Sequence, residues 1–215
     1  MEYENKNLCA KCGGKCCKKC GCDYFVSDFD TINKNELLEV LSTGNVSIVA
    51  LLNFKLLPNG QKTVVPFLYL RARNKDRDVI DLFSIKKECV MLTPIGCSYS
   101  LENRPGGGVN LIPGKNGSCR PYKDPYEEME KWTSYQNILS KLVKRYTGKS
   151  VDIVLKENIE QVLFDVLTKN FDGVSPLEIE DITACVNELI EVYPDCYQNA
   201  LERVKQITTL KRGKK

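Results

Sequence analysis

A chain of 215 residues with 42% apolar and 27% charged residues has an ordinary globular composition and is long enough to bury a core. Its 31 basic and 28 acidic residues nearly cancel, to +3, so bulk charge gives no argument for a nucleic-acid or membrane partner. It has 11 cysteines and no histidine, which excludes Ser-His-Asp triads, Cys-His nucleophiles, histidine-based zinc sites and two-His-one-carboxylate iron sites.

The opening residues MEYENKNLC are polar, carry Glu2 and Glu4 and lack an apolar h-region, so they do not read as a signal peptide. The most apolar stretch, Val46 to Leu57, is broken by Ser47, Asn53 and Lys55 and falls short of the roughly 20 residues a spanning helix needs. A cytoplasmic protein with no membrane partner is expected. In a reducing cytosol, dense cysteines point to metal or redox chemistry rather than to disulfides.

After a first cysteine run, Asn33 reads as an N-cap and Gly44 as a helix stop, with Leu37, Leu38 and Leu41 as the apolar stripe between them. Val46 to Arg73 reads as a β-hairpin whose two apolar runs are parted by Pro58-Asn59-Gly60. Val79 to Phe83 is expected as a third strand, beyond the polar turn Asn74 to Asp78. From Cys89 to Cys119 the chain is rich in glycine and proline, with Arg104-Pro105-Gly106-Gly107-Gly108 at its centre, and irregular structure is expected. So long a loop needs anchors, which a metal holding its cysteines would supply.

From Asp124 the pattern turns helical. Asp124-Pro125 resembles an N-cap followed by an N1 proline. Met129, Trp132, Tyr135, Ile138, Leu139, Leu142, Val143 and Tyr146 then recur at helical spacing up to Gly148. A second helix fits Ile153 to Leu167. A third opens at Ser175-Pro176, with Ile179, Ile182, Val186, Leu189 and Ile190 on one face, and a fourth runs from Pro194-Asp195 to about Leu210. The expected fold is α+β: residues 1–124 form a small cysteine-anchored metal-binding domain with a β-hairpin or short antiparallel sheet, and residues 125–215 a helical C-terminal region.

The first run has the spacing C-x2-C-x3-C-C-x2-C-x-C, using Cys9, Cys12, Cys16, Cys17, Cys20 and Cys22. A C-x2-C pair in a tight turn can grip one tetrahedral ion, and Gly13, Gly14 and Gly21 let the backbone turn. In extended chain the vicinal Cys16 and Cys17 would point to opposite faces, and so serve different ions, or one ion and the core. Lys11, Lys15, Lys18 and Lys19 are interleaved, and would offset the negative charge of a metal with four thiolates. No aromatic residue stands between Cys9 and Cys22 to stack on a base, which argues against nucleic acid. Thiolates suit zinc or an iron–sulfur cluster. The bacterial ferredoxin spacing and the C-x3-C-x2-C triad are both absent, so the metal stays open. Cys89, Cys97 and Cys119 follow in irregular chain, as further ligands or as buried small hydrophobes.

Cys12-Gly13-Gly14-Lys15-Cys16-Cys17 resembles the signature of the zinc- or iron-chelating cysteine-cluster family (YkgJ-type), which pairs a C-x2-C-G-x-x-C-C start with a later "C…GC…RP" segment. Here Cys89, Gly96-Cys97 and Arg104-Pro105 stand in that order. Tyr69-Leu70-Arg71-Ala72-Arg73, Leu111-Ile112-Pro113 and Trp132-x-x-Tyr135-Gln136 resemble a clostridial-type branch, so the likeness covers roughly residues 9 to 140. The resemblance implies metal chelation and no particular reaction. A cysteine often follows the family's Arg-Pro pair after two residues; Gly108 stands there, and Cys119 is the candidate substitute. The flagellin lysine N-methylases carry a related cysteine cluster, but their fuller length is not matched and no methyl-donor loop is visible after Asp124.

Gly106-Gly107-Gly108 and Gly114-Lys115-Asn116-Gly117-Ser118 lack the phosphate-loop pattern and read as turns. Tyr69, Arg71 and Arg73 share a strand face, where the arginines bind an anionic ligand or pair with Asp78 and Asp81. Arg104 faces the thiolates or a ligand, or braces its loop. Cys185 falls on an apolar helix stripe and Cys196 at a helix start, and both read as structural. The expected function is a cytosolic metal-binding protein holding zinc or an iron–sulfur cluster. The alternatives are an iron–sulfur metalloenzyme, redox-active or protein-modifying, and a zinc module binding RNA or a protein partner.

Overall fold

Two long strands organise the molecule. The computed structural model describes residues 14–94, 96–100, 102–113 and 119–212. Strands β1 (Val46–Leu56) and β2 (Lys62–Ala72) pair antiparallel in a register running from Val46 opposite Ala72 to Leu56 opposite Lys62. The Pro58-Asn59-Gly60 turn closes them, with Gly60 at φ 81°, where glycine carries no Cβ penalty.

Both outer edges of this ribbon are occupied. Along β2, Tyr24 N–H donates to Leu70 C=O (2.9 Å) and Ala72 N–H to Cys22 C=O (2.8 Å), so the chain after the cysteine run lies against the strand. Along β1, Ile48 N–H donates to Val79 C=O (2.8 Å), Asp81 N–H to Ile48 C=O (3.0 Å) and Ala50 N–H to Leu82 C=O (3.0 Å). Residues 79–82 thus run parallel to β1, but only as a bridge at Ile80 and not as the expected third strand. The segment leaves the edge at Phe83, whose N–H donates to the Asn158 side chain (3.3 Å).

Among the described residues the α-helices are α1 (Lys15–Lys19), α2 (Lys34–Ser42), α3 (Gly106–Val109), α4 (Pro125–Glu130), α5 (Gln136–Thr147), α6 (Val151–Thr168), α7 (Pro176–Val192) and α8 (Pro194–Arg212). Asn33 caps α2 by accepting from the N–H groups of Asn35 and Glu36, and Asp124 caps α4 by accepting from Tyr126 N–H. The first C-terminal helix expected up to Gly148 is interrupted by a 3-10 segment, Lys131–Tyr135, before α5. Between Cys89 and Cys119 the expected irregular chain contains small ladders instead: β3 (Leu92–Thr93) with β4 (Gly96–Cys97), and β5 (Leu111–Pro113) with β6 (Cys119–Pro121). The same glycines and prolines that suppress long elements permit these tight reversals. The fold is α+β with a helical C-terminal part.

Helices α2 and α5 pack on the hairpin, α7 packs on β2, and α6 packs chiefly on α8. Leu37, Ile48, Leu70, Trp132, Leu139, Leu155, Leu189 and Ala200 belong to one buried cluster, so the hydrophobic core runs without a break across residue 125. Among the described residues no helix is long and apolar enough to cross a membrane.

Gln136 continues the covering of β2 where the backbone of Tyr24 leaves off. Its side-chain oxygen accepts from Leu68 N–H (2.8 Å), and its nitrogen donates to Leu68 C=O (2.7 Å) and to Trp132 C=O (3.1 Å). Leu68 is buried, so Gln136→Leu strands two backbone polar groups away from water. The expected result is a loss of about 2–4 kcal/mol in a urea melt.

Candidate metal centre

The cysteine segment is held by two close backbone approaches. Gly14 starts α1 at φ 71°, and Lys18 N–H donates back to Gly14 C=O (2.9 Å). After Cys20 the chain extends along β2, where Gly21 N–H donates to Asn74 Oδ1 (2.8 Å). A Cβ on Gly21 would lie 1.7 Å from Ala72 O, so only glycine fits. The second approach brings in a distant cysteine: Cys89 N–H donates to Cys17 C=O (2.7 Å), and Val90 N–H donates to Arg73 C=O (3.0 Å).

The sulfurs then gather in part. Cys16 Sγ lies 4.0 Å from Cys17 Sγ. The expectation that these vicinal thiols diverge is corrected, because residues 15–19 are helical rather than extended and adjacent side chains do not point to opposite faces. Two ligands of one tetrahedral zinc sit about 3.8 Å apart, from Zn–S distances of about 2.3 Å, so this pair fits a single ion. The Cys16 thiol is pushed up by its hydrogen bond with Cys17 and then by burial. Cys17 is pulled down by Cys16, but contact with Cys22 and burial leave it pushed up to about 12. Burial pushes the Cys89 thiol up to about 11, and Cys97, Cys20 and Cys16 act on it in the same direction. A cation bound among these thiols would act the other way, favouring the thiolates.

Cys16 is exposed, Cys17, Cys20, Cys22 and Cys97 are half-buried, and Cys89 is buried. Cys119 stands exposed on β6. Cys9 and Cys12 lie outside the described residues. Among the described residues no three Cys, Asp or Glu side chains are already gathered as the ligands of one ion. Burial pushes Cys20 up against the pull of Arg71 and Lys86. Of the interleaved lysines, Lys15 and Lys18 are exposed, whereas Lys19 is tied to Asp181 of α7 (2.5 Å) and Lys11 lies outside the described residues.

The three glycines 106–108 read from sequence as a turn, yet they form α3 and press on the cysteine segment. Gly107 N–H donates to Asp23 C=O (2.9 Å) and Gly106 N–H to Asp28 Oδ2 (2.7 Å). A Cβ on Gly106 would meet the Phe25 ring at 2.5 Å, one on Gly107 would meet Asp23 O at 2.7 Å, and one on Gly108 would meet Cys22 Sγ at 3.0 Å. Close approach explains this run; positive φ does not. The second glycine-rich run, Gly114 to Ser118, lies outside the described residues.

The three arginines do not form one site. Arg73 donates to the backbone carbonyls of Gly44 and Arg77 and braces the hairpin end. Arg71 pairs with Asp23 (2.7 Å); of the two alternatives read from sequence, pairing with Asp78 or Asp81 is not formed. Arg104 lines a cleft of about 770 Å³ together with Tyr24, Phe25, Tyr99 and Tyr122. In that cleft the hydroxyls of Tyr24 and Tyr99 are 3.1 Å apart, and both tyrosines lie within electrostatic reach of Cys89. Cys185 and Cys196 are structural as expected: their thiols donate to the carbonyls of Ile182 (3.2 Å) and Lys156 (3.6 Å).

Comparison of the chain with protein-family models, with characterised proteins and with solved structures gives no match.

Proposed function

We propose that this chain is a cytosolic metal-binding protein that chelates zinc or an iron–sulfur cluster through cysteine thiolates. Cys16, Cys17, Cys22 and Cys89 form its nucleus, and further ligands come from Cys9, Cys12, Cys20, Cys97 and Cys119. The observation that carries the proposal is the approach of two cysteine segments far apart in sequence, joined by the Cys89–Cys17 backbone bond, with crowded thiols around it. Gly108 adds support. In the cysteine-cluster family that the sequence resembles, a cysteine often holds this position, and a Cβ there would lie 3.0 Å from Cys22 Sγ.

The test is an oxygen-free purification of untagged protein, with elemental analysis and a visible spectrum on one sample. Stoichiometric zinc, or iron with sulfide, is expected; a soluble, folded, metal-free protein that takes up neither overturns the proposal. Because Cys17 is half-buried against Cys22 while Cys16 is exposed, Cys17→Ser is expected to lose most of the bound metal and Cys16→Ser a smaller share. Metal and fold are coupled, so Cys17→Ser also lowers the melting temperature more. Full retention of metal in both variants counts against the proposed ligands.

A second reading, an iron–sulfur metalloenzyme, is favoured by the cleft of about 770 Å³, whose Tyr24 and Tyr99 lie within electrostatic reach of Cys89. Iron and sulfide in the purified protein would direct a substrate search to that cleft.

A further inference from the structure

Between the hairpin and α7 lies a second cavity, of about 260 Å³. It is smaller than the ~300–1,000 Å³ of sites for drug-sized ligands, so its occupant is small. Val49, Leu51, Ile182 and Leu189 give it an apolar wall, and Arg71 and Asp81 line it as well. Val49 stands opposite Tyr69 in the hairpin register, which sets apolar and polar side chains on one sheet face.

Arg71 and Asp81 each keep an uncommitted polar atom. Arg71 Nε donates to Asp23 Oδ1 (2.7 Å) and Nη2 donates to the Tyr69 hydroxyl (2.6 Å), which fixes the guanidinium plane. Nη1 makes no hydrogen bond among the described residues. Asp81 is only 8% exposed. Its Oδ2 accepts from the Ser84 hydroxyl (2.8 Å), and its Oδ1 accepts from no group among the described residues. Arg71 acts electrostatically on Asp81, yet the two do not meet as an ion pair, whereas Arg71 does pair with Asp23. The other charges on the cavity are matched: Lys86 with Glu178, whose Oε1 also accepts from Lys86 N–H (2.9 Å), and Asp181 with Lys19.

A half-buried guanidinium and a buried carboxylate, each with a polar atom to spare beside one cavity, suit a ligand that offers an acceptor to one and a donor to the other. A plain carboxylate satisfies only Arg71 and a plain amine only Asp81. A zwitterion bridges both. We propose that this cavity binds a free amino acid with an apolar side chain. Its carboxylate accepts from Arg71 Nη1, its ammonium donates to Asp81 Oδ1, and its side chain packs on Val49, Leu51, Ile182 and Leu189. None of the proposed ligand cysteines lines this cavity, although its Arg71 and Lys86 also act electrostatically on Cys20.

The test is calorimetric titration of the full chain with leucine, with 4-methylpentanoate, which lacks the ammonium, and with 3-methylbutylamine, which lacks the carboxylate. Leucine is expected to bind, and each analogue at least tenfold more weakly. Asp81→Asn should weaken leucine binding at least tenfold while the circular dichroism spectrum of the free protein stays unchanged. Cys185→Phe, which fills the cavity from α7, should abolish binding and keeps the test decisive if Asp81→Asn does not fold. The proposal is overturned if leucine, isoleucine, valine, methionine and phenylalanine all fail to bind at millimolar concentration. It is equally overturned if either analogue matches leucine, or if a folded Asp81→Asn or Cys185→Phe binds leucine like the parent protein.

Discussion

Gly21→Ala is expected to detach the cysteine segment from the sheet. The added methyl would sit 1.7 Å from the Ala72 carbonyl oxygen and 2.6 Å from its carbon, which are backbone atoms of a paired strand and have nowhere to move. The chain must therefore leave β2, breaking the bond from Ala72 N–H to Cys22 C=O and the buried one from Gly21 N–H to Asn74 Oδ1. Overpacking alone costs about 1–3 kcal/mol, and each lost bond strands a partner. A total of about 3 kcal/mol or more is the expected result in a urea melt. Bound metal should fall with it, since Cys22 and α1 lose their position relative to Cys89. A Gly21→Ala protein with unchanged stability and metal content would show that the segment docks differently.

Trp132→Ala is expected to be the costliest truncation in the helical part. Trp132 is fully buried, and its ring lies 5.9 Å from both Phe29 and Tyr135 in edge-on contacts. Its indole N–H donates to Tyr24 C=O (2.9 Å), two residues beyond Cys22. Removing the ring costs about 3–5 kcal/mol through the cavity it leaves. Trp132→Phe should cost less, about 1–3 kcal/mol, because it keeps most of the apolar contact and loses the hydrogen bond. Thermal and urea denaturation separate the two variants. If Trp132→Ala and Trp132→Phe cost the same, the hydrogen bond, and not the packing, carries the effect. Either way the residue joins the C-terminal helices to the chain leaving the cysteine run.

Local signals were legible wherever a residue acts on its own neighbourhood. Asn33, Asp124 and Ser175 cap the helices they were expected to open, because capping needs only a side-chain oxygen and the next few N–H groups. Gly148 ends α5 at φ 72°, and the Pro58-Asn59-Gly60 turn closes the hairpin. The site was less legible. A helical rather than extended Cys16–Cys17 step reversed the expected divergence of their sulfurs, since periodicity cannot be read from five residues. The glycines 106–108 carry no local sign that their missing side chains make room for Asp23, Phe25 and Cys22.

The sequence by itself determined the helix caps, the hairpin, the α+β class, the absence of histidine chemistry and the candidate thiols, because each follows from residue type and short-range spacing. Only the tertiary structure decided which groups meet. Cys89 beside Cys17, Gln136 sealing Leu68, Arg71 turning to Asp23 rather than Asp78 or Asp81, and the polar end of the small cavity all join residues far apart in the chain. The reason is physical: buried polar groups must find partners wherever the packed elements bring them, and no local pattern specifies a partner dozens of residues away.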